Sequence, residues 1–241
     1  MNASVLSDNL INCLTICDRA IGRTVSNQTN HAVLPDAIHT ELRNGILAQV
    51  DAPGTTYTES AVALRFGVSR PTAKMAIERL VAEGLLRRES HSAARIPELS
   101  RDDILDLFEN RAIVEGAALA RLAAGGTIPA EALAAHRALQ AGASTDQPYA
   151  ALDVEFHRSL VTGQSSPRLA RMHALLMGEI ELCIGQVQAN QLRTAQDVAR
   201  QHQGILDAVT AGDSELAERR TRDHIALTCE RLLEHVDGRS S

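Results

Sequence analysis

Four side chains in the C-terminal half have the types and spacing to do chemistry. Asp153 and His157 stand four residues apart, so on a helix they project from one face, one turn apart. That face borders an apolar stripe, Tyr149, Leu152, Phe156 and Leu160, where a bare carboxylate would be costly. His202 sits in the middle of a second stripe, Val198, Ile205, Leu206 and Val209, and His224 lies beside Ile225 on a later segment. Three helices would thus turn one carboxylate and three imidazoles inward. A divalent cation explains why such groups occupy apolar faces. Nitrogen with one oxygen suits zinc first, with nickel and iron as alternatives, and leaves coordination positions open. The chain has nine histidines, and each of the others, taken singly, reads as a surface or satisfied core residue.

A second group of residues could touch nucleic acid. The segment Phe66-Gly67-Val68-Ser69 places glycine where a chain must reverse between two helices. The helix that follows carries Arg70 and Lys74 near its start, the end that reaches base edges in the major groove. Arginine is the commonest bidentate reader of guanine. Ser69 and Thr72 can add hydrogen bonds to phosphate, and Arg65 stands just ahead of the turn. The net charge of the chain is −6, which by itself argues against a polyanionic partner. Its distribution argues otherwise. Residues 35–97 hold eight Lys/Arg against seven Asp/Glu, whereas residues 98–241 hold 14 against 21. No acid occurs from Ser60 to Ile77. A local basic stripe matters more for phosphate contact than the sum over the chain. Aromatic residues make up only 2%, so base stacking on aromatic platforms is not the mode of binding.

The elements that must position these groups read as mainly α. Residues 1–33 form an extension. Residues 34–97 form a small domain: Leu34, Ile38, Leu42 and Ile46 mark one helix face, and Pro53-Gly54 breaks the chain. A short helix then opens at Thr58-Glu59 and runs through Ala61, Leu64 and Phe66. A third helix, capped by Ser69 with Pro71 in its first turn, buries Ala73, Ala76, Ile77 and Leu80. Leu85 to Arg88 and Arg95-Ile96 read as the two strands of a wing, with residues 89–94 at its tip. Residues 98–241 show no convincing strand. Ser100 with Asp103 resembles a capping box ahead of a long helix through Leu105, Phe108, Leu119 and Leu122. Five more helices follow to about Val236, so about six pack as an antiparallel bundle. The four cysteines show no CxxC, and no apolar run approaches the roughly 18 residues of a spanning helix, so a cytoplasmic protein with reduced thiols is expected.

Both domains resemble known families. Leu42-Arg43, Pro53-Gly54-Thr55, Glu59, Gly67 to Lys74 and the run Ala76-Ile77-x-Arg79-Leu80-x-x-Glu83-Gly84-Leu85 resemble the winged helix-turn-helix domain of GntR-type regulators. The usual Ser-Arg-Thr-Pro-Val-Arg-Glu order is replaced by Ser69-Arg70-Pro71-Thr72-Ala73-Lys74-Met75, and His91-Ser92 stands where the family has a wing-tip glycine. The second domain is similar to the FCD ligand-sensing domain of the FadR-type branch. Asp153-x-x-x-His157, His202-x-x-Ile205-x-x-Ala208-x-x-x-Gly212-Asp213 and His224 carry that resemblance. It implies a metal site at Asp153, His157, His202 and His224, whose open positions receive a small carboxylate effector. Arg111 is a candidate partner for that carboxylate, the alternative being a surface salt bridge with Glu115. The resulting expectation is a DNA-binding, effector-controlled regulator acting on an operator as a homodimer. The alternatives are a helical metallohydrolase and a direct metal sensor.

Overall fold

The computed structural model describes residues 30–89, 92–125, 127–142 and 149–239. The extension 1–33 is outside this set except for the start of the first helix, as are wing-tip His91, Gln147 and the side chain of Leu34. Three helices open the fold: α1 (Asn30–Leu47), α2 (Glu59–Phe66) and α3 (Arg70–Ala82). Thr58 caps α2 by accepting from the Ala61 amide. Gly67 then ends it at φ 65°, a left-handed conformation that costs glycine nothing sterically. Ser69 caps α3 through the Thr72 amide. Ile38, Leu42 and Ile46 of α1 close on Ala73, Ala76, Ile77 and Leu80 of α3 to make the domain's core.

The sheet differs from the expected two-strand wing. Strand β1 (Thr56–Tyr57), which lies between the Pro53-Gly54 break and α2 and was not expected, pairs antiparallel with β2 (Ala94–Arg95). Arg87 joins Arg95 only through an isolated bridge. Leu85 and Leu86 are fully buried in the core instead of forming a pleated edge. Leu64, placed on the apolar face of α2, is 86% exposed. Val62 and Ala63 take the interior positions because a helix of eight residues has room for only one short inward face.

Six helices follow: α4 (Arg101–Gly125), α5 (Ala130–Ala141), α6 (Tyr149–Gly163), α7 (Pro167–Ala189), α8 (Ala195–Thr210) and α9 (Ser214–Arg239). Ser100 and Asp103 form the expected reciprocal cap of α4, with the Ser100 amide 2.9 Å from Asp103 Oδ2 and the Asp103 amide 3.1 Å from Ser100 Oγ. Thr194 caps α8, and Asp213 accepts from the Leu216 amide at the start of α9. Helix α4 packs along α9, and α6 lies against α4, α5 and α7. One core gathers Phe108, Leu152, Ile180, Val198 and Leu232, and a second gathers Leu119, Phe156, Leu160, Ile205 and Val209. Leu105, expected on the buried face of α4, is 39% exposed, and Ile104 is the interior residue. Residues 34–241 form one unit. Leu182 of α7 is part of the core of the first domain.

Candidate metal centre and nucleic-acid interface

Helix α6 supplies Asp153 and His157, α8 supplies His202 and α9 supplies His224. All four are buried, and one ligand atom from each lies within 4.8 Å of every other. Asp153 Oδ1 stands 3.2 Å from His202 Nε2, 3.7 Å from His224 Nε2 and 3.9 Å from His157 Nε2. The two Nε2 atoms of His157 and His224 are 3.0 Å apart. Ligands of one tetrahedral zinc, with Zn–N near 2.0–2.1 Å, sit about 3.3 Å from each other. The separations observed here bracket that value.

For His224 an outer hydrogen bond fixes which nitrogen faces inward. Arg193 has only donors, so the Gln201 atom that meets its Nη2 is the carbonyl oxygen. That oxygen also lies 2.8 Å from His224 Nδ1, which must therefore donate to it. Glu115 Oε2 of α4 lies 2.6 Å from His157 Nδ1, an ion-pair contact without hydrogen-bond alignment. With its Nδ1 hydrogen on Gln201, His224 presents the lone pair of Nε2 toward His157 Nε2 across 3.0 Å. A cation bound among these groups would accept that lone pair together with the Asp153 carboxylate. Asp153 Oδ2 and both His202 nitrogens are buried without an aligned hydrogen bond, as expected of ligands that converge on an ion and not on one another. The donor set fits a divalent metal.

Protonation follows the same pattern. Burial alone would push the Asp153 carboxyl up, but His202, His157 and His224 outweigh it and hold it well below the usual carboxylate range. Burial pulls His202 down to about 4 and His224 in the same direction, so both rings are neutral near pH 7. Neutral imidazole and ionised carboxylate are the forms that bind metal. Phe156 stacks on the His202 ring at 3.8 Å between centroids and holds its plane.

The sequence reading named Glu115 only as a surface partner of Arg111, whereas it stands in the interior against His157 and His173. Its Oε1 accepts from Arg111 Nε at 2.8 Å and from His173 Nε2 at 3.0 Å. The signal was present: Ile104, Phe108, Arg111, Glu115, Leu119 and Leu122 follow one helical face, and all are buried. The Arg111–Glu115 pair is therefore an interior ion pair, with Arg111 only 1% exposed, and not a surface one. Arg111 Nη1 is left without a partner.

In the first domain the residues expected to touch DNA are exposed or half-buried. Arg70 and Lys74 stand one turn apart on α3. The hydroxyls of Ser69 and Thr72 meet at 2.8 Å at its start. Arg65 belongs to α2, beside Glu41 of α1 at 3.6 Å, and Lys74 lies 3.5 Å from Glu78. The acid-free run of the sequence thus meets acids from outside it.

Residues 34–96 match the family of bacterial regulatory proteins of the gntR type, and residues 106–227 match the FCD domain. The chain belongs to the GntR family of DNA-binding transcriptional regulators and carries an FCD domain. A protein of Paenarthrobacter nicotinovorans named as a D-xylose utilization operon transcriptional repressor is 28% identical over 211 residues, covering 86% of this chain and 90% of its own. An HTH-type regulator of Agrobacterium vitis is 35% identical over 132 residues, 52% of this chain and 77% of its own. The fold of this GntR regulator is shared with a GntR protein of Rhodococcus sp. RHA1 (TM-score 0.69, 20% identity, 83% of this chain and 97% of that one). It is also shared with E. coli McbR/YncC (TM-score 0.65, 17% identity, 84% and 98%). Among the described residues no helix is long and apolar enough to cross a membrane.

Proposed function

We propose that this GntR regulator holds a divalent metal, zinc first, on Asp153, His157, His202 and His224, and that a small carboxylate effector entering there changes its grip on a DNA operator. The convergence of one buried carboxylate and three buried imidazoles, their ligand atoms within 4.8 Å of one another and the His224 Nε2 lone pair turned inward, carries this reading. A bound metal would supply an electrophilic centre with open positions for an effector oxygen. The protein's own groups do the rest. Glu115 and Gln201 orient two of the rings, and the unpartnered Nη1 of Arg111 is a buried donor suited to a carboxylate. Glu115 is committed to His157, His173 and Arg111, so it acts as an orienting group and not as the free base a hydrolase would need.

On the DNA side, Arg70 and Lys74 read base edges, while Arg65, Ser69 and Thr72 meet phosphate. Two such heads, in a homodimer, would span two operator half-sites. A cytoplasmic location goes with this role.

Elemental analysis combined with thermal melts tests the reading. The chelated protein should melt lower than the zinc-loaded one, and a binding carboxylate should raise the melt again by mass action. D-xylose serves as the competing arm of the ligand panel. His202→Ala should purify without metal. Full metal content in that variant, or a melt indifferent to zinc, would overturn the metal centre. A rise with zinc but with no second ligand would leave a direct metal sensor.

A further inference from the structure

Glu181 of α7 is an acidic side chain only 5% exposed, and no part of the metal centre uses it. It faces two arginines from different domains. Arg158 Nη2 of α6 donates to its Oε1 at 2.5 Å, and Arg43 Nη2 of α1 donates to its Oε2. Arg158 is the residue immediately after His157. Arg43 in turn lies 3.7 Å from Glu83, the residue that ends the recognition helix α3. His39 meets the other oxygen of Glu83 at 2.8 Å. An unbroken line of ion pairs therefore runs from the helix that holds Asp153 and His157 to the C-terminus of α3.

The backbone around this line leaves little slack. A Cβ on Gly178 would fall 2.0 Å from the Glu83 carbonyl oxygen, and one on Gly185 would fall 2.8 Å from that of Leu47. Leu182, between them on the same face of α7, is buried in the core of the DNA-binding domain. A second clamp, Arg87 Nη2 to Glu179 Oε1 at 2.6 Å, stands two residues away. Closely packed elements shift as units and do not deform smoothly, so a small rotation of α6 is passed on through charges held at both ends.

We propose that Glu181 is the positioning residue that couples the metal-holding helix α6 to the recognition helix α3, through Arg158 on one side and Arg43 with Glu83 on the other. The proposal rests on the metal reading above and extends it to regulation.

Hydrogen–deuterium exchange of the full chain, chelated and then zinc-loaded, tests it at the amides of α1 and at the end of α3. Zinc should slow exchange there by about fivefold or more in the unaltered protein, within the usual range of coupling between sites. Glu181→Gln should lower that ratio to near one while keeping zinc affinity, measured by calorimetry, unchanged. Glu181→Asp should restore part of it. A residue that merely supports the fold would lower the melting temperature and leave the ratio intact, so an unchanged ratio in Glu181→Gln overturns the coupling. Zinc binding in the unaltered protein with no effect on α1 or α3 also overturns the coupling and spares the metal centre. Absence of zinc binding removes both.

Discussion

The two domains keep their chemistry in opposite ways. In the FCD bundle Asp153, His157, His202 and His224 are all buried, and each stands within 4 Å of another charged or polar group. His157 alone touches Glu115, Asp153 and His224. In the DNA-binding domain Arg70 and Lys74 stand exposed in water, and Lys74 makes a surface ion pair with Glu78. The contrast follows from the partners. A small ion binds in a dry cavity, where each ligand must be aimed beforehand because an unaimed one would be an unsatisfied buried group. A duplex brings its own long surface, so the protein needs only reach and charge. A substitution at a buried polar group of the bundle should therefore upset stability and ligand affinity together, whereas one at Arg70 or Lys74, on the exposed face of α3, should alter binding alone.

Glu115→Gln is the most severe test of that contrast. It removes the charge that faces Arg111, His157 and His173 in the interior. Breaking a buried pair from one side costs about 3–5 kcal/mol. Loss of an outer orienting group typically weakens metal binding about 10–100-fold. Chemical denaturation and zinc titration should show both losses in the one variant. Unchanged zinc affinity would mean that His157 needs no help in presenting Nε2.

Acid sharpens the comparison next. His202 is held at about 4 in the folded chain against 6.5 for a free imidazole, chiefly by burial. Between those values the unfolded chain takes up a proton that the folded chain refuses. The stability of the chelated protein should thus be full above about pH 6.5 and fall by a few kcal/mol as the pH drops toward 4. The depressed His224 adds to the fall in the same direction. Asp153, shifted below the usual carboxylate range, acts only at still lower pH. Denaturant midpoints measured at steps from pH 7 to pH 4.5 check this, and a flat profile would contradict neutral, buried rings.

The smallest effect belongs to the exposed surface. Arg70→Ala should weaken binding to a selected operator by about 1–3 kcal/mol while leaving the melting temperature within experimental error. Loss of stability without loss of operator affinity would reverse the roles given to the two domains.

Much of the fold was open to reading along the chain. Thr58, Ser69, Thr194 and the Ser100–Asp103 pair announce helix starts because a cap needs only neighbours within three residues. The buried Asp/His cluster was legible for a similar reason: Asp153 and His157 are one turn apart, and His202 interrupts an otherwise apolar face. Strand β1 was missed because its partner, β2, lies almost forty residues on. Two residues of strand leave no alternation to read.

Local spacing, then, determined most of the residues that turn inward, Leu64 and Leu105 being exceptions, since the 3.6-residue period is a property of the backbone itself. Tertiary structure decided what they meet there. Glu115 beside His157, Gln201 beside His224 and Glu181 between two arginines are contacts across 23 to 138 positions of chain, set by which helices pack together. No periodicity encodes such contacts, because they arise only when several apolar faces are buried against one another at once.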